Sequence, residues 1–255
     1  MRVDATSYED ATARIIAWAE SGESRYVCVA NVNNVMDAND DPGFLDVMNG
    51  ADLVTPDGMP LVWGLRLLGE RSATRVCGPR LLPHLLVRLA AAGVPVGFYG
   101  STDDVLMALQ GNARERAPGL KIVYSESPPF RALSASEDAR VIESILASGA
   151  RVLFVGLGCP KQERWMAEHR GSVGAVTVGV GAAFDFVAGT KRRAPEWIQR
   201  SGLEWAFRLA SEPRRLWRRY LRHNPRFVVR FAGQLLRSRG RPAPTRSADE
   251  EKGSI

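Results

Sequence analysis

Short apolar segments recur along the chain up to about residue 180, and amphipathic segments lie between them. Apolar runs bounded by turn-forming residues predict buried strands, while apolar positions three and four apart predict helices. A first helix is predicted over 7–21, because Ser7 and Asp10 have the spacing of a capping box. Strands are predicted at Tyr26–Asn31, Asp52–Val54, Val94–Tyr99, Leu120–Tyr124, Val152–Val155 and Ala175–Val180.

Strands that alternate with helices are typical of an α/β fold, so we expect a Rossmann-like, mostly parallel sheet covered by helices over residues 1–194. Ligands of such sheets bind beyond the carboxyl ends of the strands. Five loops fall there and are predicted to line one crevice: 31–34, 55–58, 100–102, 156–158 and 179–181. Within the third loop, Ser101 and Asp104 repeat the capping-box spacing, so Gly100-Ser101 is interpreted mainly as a helix start.

The pattern changes at Pro195, where the strand signal ends. Residues 195–240 are predicted to form a basic helical C-terminal appendage, with short helices separated at Gly202, Pro213 and Pro225. Aromatic residues alternate there with arginines. The composition of residues 241–255 predicts a disordered tail.

Charge is concentrated in the same region. The chain carries a net charge of +6, yet residues 189–241 hold fifteen Lys and Arg against three Glu. A basic region predicts an anionic partner, either a membrane surface or a nucleic acid. A solvated basic face packed on the core is the alternative interpretation.

The amino terminus has no apolar run typical of a secretory signal, and no segment of about 20 apolar residues predicts a membrane span. We therefore expect a cytoplasmic protein. Its three cysteines, Cys28, Cys77 and Cys159, are far apart and fit reduced thiols without metal-ligand spacing.

The strand at 152–155 runs into the Gly-rich turn Gly156-Leu-Gly158-Cys-Pro160-Lys161, after which a helix opens at Pro160. The free N–H groups of a helix start favour an anion such as a phosphate. An ordinary strand-to-helix turn is the alternative. A dinucleotide-binding enzyme is disfavoured, since Lys161 occupies the position of the third glycine of the G-x-G-x-x-G fingerprint.

Residues with candidate catalytic or binding roles lie in or near the predicted crevice loops. Asp57 follows a strand and could accept a proton from an incoming hydroxyl, although Pro-Asp-Gly is also common turn chemistry. Arg75 could neutralise a diphosphate. Gln162 and Glu163 could hydrogen-bond a sugar or uracil. The chain contains no D-x-D triplet for a divalent ion, so we expect Arg, Lys and helix termini to meet the charge of a leaving diphosphate.

An ordered series of motifs resembles the WecG/TagA/CpsF family of bacterial glycosyltransferases, over about residues 8–236. The series comprises Asn31-Val-Asn-Asn-Val-Met-Asp-Ala, Ala51-Asp-Leu-Val-Thr-Pro-Asp-Gly, Arg75-Val-Cys-Gly, Pro128-Pro-Phe, Gly156-Leu-Gly-Cys-Pro-Lys-Gln-Glu, Gly179-Val-Gly-Ala-Ala-Phe-Asp-Phe, Arg193-Ala-Pro-Glu-Trp, Gly202-Leu-Glu-Trp, Glu212-Pro-Arg-Arg and Arg219-Tyr.

The resemblance implies inverting transfer of a sugar from a UDP-sugar to a polyprenyl-diphosphate-linked saccharide, at the inner face of the plasma membrane, in surface polysaccharide or teichoic acid synthesis. By resemblance, Asp57 would be the general base, Arg75 would stabilise the departing UDP and Gln162 would contact the donor. No metal and no further cofactor are expected. A peripheral membrane protein, a possible homo-oligomer and no nucleic-acid partner are expected too.

The resemblance and the loop positions together predict two sets of binding residues. The donor-binding set is Asn31, Gly156, Gly158, Lys161, Gln162, Glu163 and Gly181. The set for the acceptor and the membrane is Arg215, Arg218, Arg219 and Arg222. One departure concerns the donor, because Val29 stands where family members often have a threonine. Nothing in the sequence separates N-acetylmannosamine, its uronic acid or glucose as the transferred sugar.

Overall fold

The computed structural model describes residues 1–191 and 193–238. Its strands are β1 (Tyr26–Ala30), β2 (Leu53–Pro56), β3 (Val96–Gly100), β4 (Ile122–Glu126), β5 (Val152–Gly156) and β6 (Val176–Gly179). Its helices are α1 (Tyr8–Glu20), α2 (Val32–Asp40), α3 (Pro42–Gly50), α4 (Met59–Leu67), α5 (Gly78–Ala91), α6 (Asp103–Arg116), α7 (Ala135–Ser148), α8 (Lys161–Glu168), α9 (Ala183–Val187), α10 (Glu196–Arg200), α11 (Glu204–Ser211) and α12 (Pro213–Ser238).

The six strands form one parallel sheet in the order β2-β1-β6-β5-β3-β4. β1 pairs with β2 through Val29 and Thr55, and with β6 through Cys28 and Gly179. All strands point the same way, so their carboxyl ends meet at one edge. The predicted α/β fold is confirmed, and each predicted strand lies within a few residues of an observed one.

Each face of the sheet is covered by its own helical layer, because successive strand residues point to opposite sides. Val27 and Val29 face a core with α1, α5, α6 and α9, whereas Cys28 and Ala30 face a core with α3, α7 and α8. Both cores consist mainly of aliphatic and aromatic side chains.

Two local predictions are wrong. The cap of α6 is Thr102, whose side chain accepts from the backbone N–H of Val105, while Ser101 adopts a left-handed φ of 62°. The predicted break at Pro225 is absent, because α12 continues through it. Pro225 is exposed, so the backbone carbonyl that its missing N–H leaves free can bond to water.

The appendage, here α10, α11 and α12, packs across the carboxyl edge of the sheet. Trp205 of α11 contacts Tyr220 of α12 edge to face, with ring centroids 6.0 Å apart. The ring of Phe231 lies 3.2 Å from where a Cβ would stand on Gly64 of α4. Arg226 forms an ion pair with Asp40 of α2 at 2.5 Å. These contacts place α12 beside the strand-end loops. The predicted tail over 241–255 lies outside the described residues.

Candidate active site

A cavity of about 670 Å³ opens between the strand-end loops and the appendage. Four of the five predicted crevice loops contribute to its walls, through Asn31, Asp57, Gly158 and Gly181 among others. The fifth loop, after β3, instead packs on β5: the backbone N–H of Ser101 donates to the carbonyl of Gly156 at 3.2 Å. The walls of the cavity therefore come from the ends of β1, β2, β5 and β6 and from the appendage.

Asp57 is fixed at the end of β2 by its backbone, whose N–H donates to the carbonyl of Ala30 at 2.7 Å. The segment that carries Arg75 runs alongside, because Val76 exchanges hydrogen bonds with this strand: its N–H donates to Pro56 at 2.9 Å, and its carbonyl accepts from the hydroxyl of Thr55 at 3.1 Å. The two residues that the sequence singled out for chemistry are thereby brought together.

Arg75 contacts Asp57 in two ways. Nε of Arg75 donates to the backbone carbonyl of Asp57, and Nη2 lies 3.3 Å from Oδ1 of its carboxylate. The same Nη2 donates to Oε2 of Glu204 at 2.6 Å. Each of the three side chains is about a fifth exposed or less, at 17%, 18% and 21% for Arg75, Asp57 and Glu204.

The surroundings of Asp57 favour proton uptake. Burial raises the pKa of Asp57, and the positive charges of Arg75 and Arg208 offset this only in part. A carboxylate whose pKa lies above its ordinary value is a better general base near neutral pH.

Gln162 and Glu163 begin α8 next to the Gly-rich turn. The amide oxygen of Gln162 accepts from the N–H of Gly158 at 3.2 Å, and its Nε2 donates to Oε1 of Glu163 at 3.0 Å. Gly181, with a left-handed φ of 51°, leaves room for this amide, since a Cβ there would lie 3.3 Å from Oε1 of Gln162. Gln162 is thus held against two glycine loops.

Glu163 is fully buried, at 0% exposure. Its Oε1 also accepts from Nδ2 of Asn34 at 3.4 Å, while its Oε2 has no hydrogen-bond partner among the described residues. Burial raises the pKa of Glu163, against the effect of its hydrogen bonds. The carboxyl group therefore acts on Gln162 and Asn34, which it holds in place.

Asn31 caps α2 at the end of β1. Its side chain accepts from the backbone N–H of Asn33 at 2.9 Å, and its own N–H donates to the side chain of Asn34 at 3.1 Å. This reciprocal capping box fixes the first turn of α2 at the cavity wall.

The appendage contributes cations to the cavity, namely Arg208 of α11 and Arg219 of α12, next to Lys191. Nε of Arg219 is buried and has no hydrogen-bond partner within the described part of the chain. His223, one turn further on, lies 3.8 Å from Asp37, and burial lowers the pKa of His223. The guanidinium groups of Arg208 and Arg219 suit an anionic ligand such as a diphosphate.

The predicted binding residues divide between the cavity and other places. Lining the cavity are Asn31, Gly158, Gln162, Glu163, Gly181 and Arg219. Gly156 is instead a packing glycine, because a Cβ there would lie 2.6 Å from the ring of Phe184. Lys161 is exposed outside the cavity. Arg218 and Arg222 are exposed on α12, and the side chain of Arg215 lies outside the described part of the structure.

Sequence reasoning gave no role to several cavity residues, foremost Glu204. A signal was present, because Glu204 is one of three acidic residues in the segment that carries fifteen basic ones. Arg208 follows it by one helical turn, a spacing that is usually interpreted as a solvated ion pair. Only the docking of α11, seen in the bond between Glu204 and Arg75, shows that both residues enter the cavity.

The far end of the cavity is apolar. It lies between α4 and α12, where Trp63 and Leu67 face Phe227 and Phe231. Trp63 and Leu67 remain 46% and 62% exposed. The cavity thus runs from polar strand ends to an open apolar mouth.

Within residues 1–191 and 193–238, every helix is too short or too polar to span a bilayer. The described part of the chain also holds no cluster of three or more His, Cys, Asp or Glu side chains suited to a metal ion.

The sequence matches a known protein family. The profile described as "Glycosyl transferase WecG/TagA/CpsF family" matches residues 1–241. The chain belongs to the WecG/TagA/CpsF family of glycosyltransferases. This confirms the resemblance inferred from the motifs, and the protein is a glycosyltransferase.

Two relatives in this family carry the name N-acetylglucosaminyldiphosphoundecaprenol N-acetyl-beta-D-mannosaminyltransferase. The protein of Bacillus spizizenii W23 is 31% identical over 214 residues, which cover 83% of this chain and 80% of the relative. The protein of Bacillus subtilis 168 is 30% identical over 183 residues, which cover 71% of this chain and 69% of the relative. This WecG/TagA/CpsF protein is therefore similar over most of its length to enzymes named for sugar transfer to a lipid-linked acceptor.

Proposed function

We propose that this protein transfers a sugar, with inversion, from a UDP-sugar to a saccharide linked to a polyprenyl diphosphate, in the synthesis of a cell-surface polysaccharide or teichoic acid. The observation that carries the proposal is the position of Asp57 and Arg75 in a cavity that is polar at the strand ends, lined by Arg208 and Arg219 from the appendage, and apolar between α4 and α12. A substrate with a sugar, a diphosphate and a long apolar chain fits such a gradient.

In the proposed reaction, the acceptor hydroxyl attacks the anomeric carbon of the donor while Asp57 takes its proton. The bond from the anomeric carbon to UDP breaks, and the leaving diphosphate gains negative charge. Arg75 is placed to offset that charge, and Arg208, Arg219 and Lys191 line the same cavity. We therefore expect turnover without an added metal ion.

The proposed donor side is the wall formed by Asn31, Gly158, Gln162 and Gly181. Its N–H and amide groups suit a nucleotide and a sugar, although the transferred sugar stays open. The names of the relatives make UDP-N-acetylmannosamine the first donor to test, followed by its uronic acid and UDP-glucose.

The proposed site of action is the cytoplasmic surface of an anionic membrane, bound peripherally through α12. Large apolar residues of this helix are exposed: Leu221, Val228, Val229 and Leu236, at 68%, 65%, 72% and 74%. Arginines on the same helix supply attraction to anionic lipid. Flotation with vesicles tests this, and a protein that stays unbound to anionic vesicles at moderate salt would contradict it.

The activity test measures UDP release from each donor with and without a short-chain lipid-diphosphate N-acetylglucosamine, in EDTA, for the wild type and Asp57→Asn. We expect acceptor-dependent release from one donor, lost in the variant and unchanged by EDTA. Measurable UDP binding without release from any donor would reject the tested acceptor. Absence of UDP binding would reject the proposed function.

A further inference from the structure

Glu204 of α11 reaches from the appendage into the catalytic centre. Nη2 of Arg75 donates to Oε2 of Glu204 at 2.6 Å and lies 3.3 Å from Oδ1 of Asp57. One nitrogen is thus shared by two carboxylates from distant parts of the chain. The bond to Glu204 is the shorter of the two.

This sharing matters because Asp57 must be basic to take a proton. An arginine beside a carboxylate stabilises its charged form and weakens it as a base. A second carboxylate on the same guanidinium cancels part of that effect. Burial raises the pKa of Asp57, and the negative charge of Glu204 raises it as well. The positive charges of Arg75 and Arg208 lower it.

Other groups that face this centre come from three packed segments: Tyr8 of α1, Cys77 before α5 and Tyr220 of α12. Burial raises the pKa of each of the three, so all three are neutral near pH 7. The charge balance at Asp57 is therefore set by Arg75, Arg208 and Glu204.

Glu204 can occupy this place only while α11 is docked. The helix begins just after Gly202, which adopts a left-handed φ of 77° and packs on Trp63, whose ring lies 2.8 Å from where a Cβ would stand. One residue after Glu204, Trp205 packs on Tyr220 of α12. Displacement of the appendage would withdraw the Glu204 carboxylate from Arg75.

We propose that Glu204, supplied by the appendage, is a positioning residue for the transfer reaction. Its carboxylate holds Arg75 and offsets the charge of the guanidinium. The Asp57 carboxylate is therefore fully basic only while the appendage is docked. This inference rests on the proposed function of Asp57 as the general base. It adds that the docked appendage completes the surroundings of the catalytic base as well as the wall of the cavity.

The first test measures the ionisation of Asp57 directly. Protein labelled with carbon-13 at the aspartate carboxyl is titrated by NMR, and the Asp57 signal is identified by its absence in Asp57→Asn. We expect the titration midpoint of Asp57 to move to lower pH in Glu204→Gln and to stay at the wild-type value in Glu204→Asp, which keeps the charge. An unchanged midpoint in Glu204→Gln would overturn the inference.

The matched control is Glu23→Gln. Glu23 pairs with Arg25 at 2.6 Å, just before β1 and hence at the opposite edge of the sheet. This substitution removes an equivalent ion pair without reaching the cavity, so we expect no change at Asp57. An equal shift in the control would mean that the effect is a general one of net charge, and would also overturn the inference.

The second test is the pH profile of kcat/KM for the donor that the wild type uses. We expect Glu204→Gln to lower the plateau by about tenfold, less than the roughly 10²–10⁴ contributed by a general base, and to move the acidic limb to lower pH. Glu204→Asp should restore much of the plateau and the wild-type limb. A merely structural residue would lower the plateau and leave the limb unmoved, which would overturn the inference.

The two proposals fail separately. A wild type that binds no UDP would overturn the proposed function and the catalytic role of Glu204 with it. The NMR titration needs no substrate, so it decides the charge relationship between Glu204 and Asp57 in either case.

Discussion

Arg75 is bound to Asp57 at two points, the backbone carbonyl and the carboxylate. The bond to the backbone carbonyl holds Arg75 in place whether the carboxyl group of Asp57 is charged or neutral. Because the carboxylate is mostly buried and only partly compensated, its pKa is raised. The arrangement resembles other catalytic centres in which a functional group is kept in surroundings that do not stabilise its charged form.

This arrangement predicts that Asp57→Asn increases stability at neutral pH while it abolishes turnover. A carboxyl with a raised pKa in the folded state favours folding below its unfolded pKa, and that contribution is lost as the pH rises through the folded pKa. The advantage of Asp57→Asn in thermal melting temperature should therefore grow as pH rises from 4 to 8. At this chain length each kcal/mol corresponds to about 2–4 °C.

Asp104→Asn serves as the control, because Asp104 is exposed at the start of α6. Its difference from the wild type should not grow with pH in this way. A variant Asp57→Asn that melts below the wild type at pH 8 would contradict the raised pKa.

The second prediction concerns Glu163, whose carboxyl holds Gln162 and Asn34 while it is itself inaccessible. Glu163→Gln keeps an acceptor oxygen and should leave the donor KM nearly unchanged. Glu163→Leu removes the acceptor, so the KM for the UDP-sugar should rise by about tenfold, as expected for the loss of about one hydrogen bond to the neighbouring amide.

Steady-state kinetics with varied donor measures this, and Gln162→Leu provides the comparison. Since Gln162 lines the cavity, its loss should raise the donor KM at least as much as Glu163→Leu does. A larger effect of Glu163→Gln than of Gln162→Leu would indicate that the Glu163 carboxylate itself binds the donor.

The fold could be predicted from sequence because its signals are local. Apolar runs such as Val152–Val155 are bounded by glycines, and parallel topology follows from their alternation with helices. The cap at Ser101 was predicted wrongly because Ser101 and Thr102 both carry a capping hydroxyl, and Gly100 and Ser101 form a left-handed turn that places Thr102 at the helix start.

The candidate site could be predicted only in part. Asp57, Gln162 and Arg219 lie in loops or motifs that mark them, and the cavity contains all three. Gly156 resembles a ligand-binding glycine in sequence, but its role is to admit the ring of Phe184. The contact of Glu204 with Arg75 could not be predicted, because it depends on how the appendage docks. Packing between distant segments leaves no local signal.

The third prediction concerns the ion pairs between α2 and α12. Asp40 binds Arg226 at 2.5 Å and lies 3.6 Å from Arg222. Anionic lipid would compete for the same two arginines. Asp40→Asn should therefore raise affinity for anionic vesicles, by about fivefold for one released arginine near the membrane surface.

Vesicle flotation at two salt concentrations measures this affinity. Asp46→Asn removes an equal charge from the exposed surface of α3, so it separates release of the arginines from net charge. An equal increase in both variants would show that Asp40 does not restrain α12. Loss of the increase at high salt is expected, because surface charges are screened.

The last prediction concerns the apolar mouth of the cavity. A Cβ on Gly64 of α4 would already lie 3.2 Å from the ring of Phe231 of α12, so Gly64→Leu must fill the space between the two helices or push them apart. Since this end is proposed to receive the apolar chain of the acceptor, the KM for the lipid-linked acceptor should rise by about tenfold or more, the loss expected for about two methylene contacts. The affinity for UDP, measured by calorimetry, should stay unchanged because the strand-end loops lie at the other end.

Gly111→Leu on α6 is the matched control, as no atom lies within 4 Å of a Cβ at that position. Equal losses of UDP affinity and acceptor use in Gly64→Leu would mean that the apolar mouth is not a separate acceptor site.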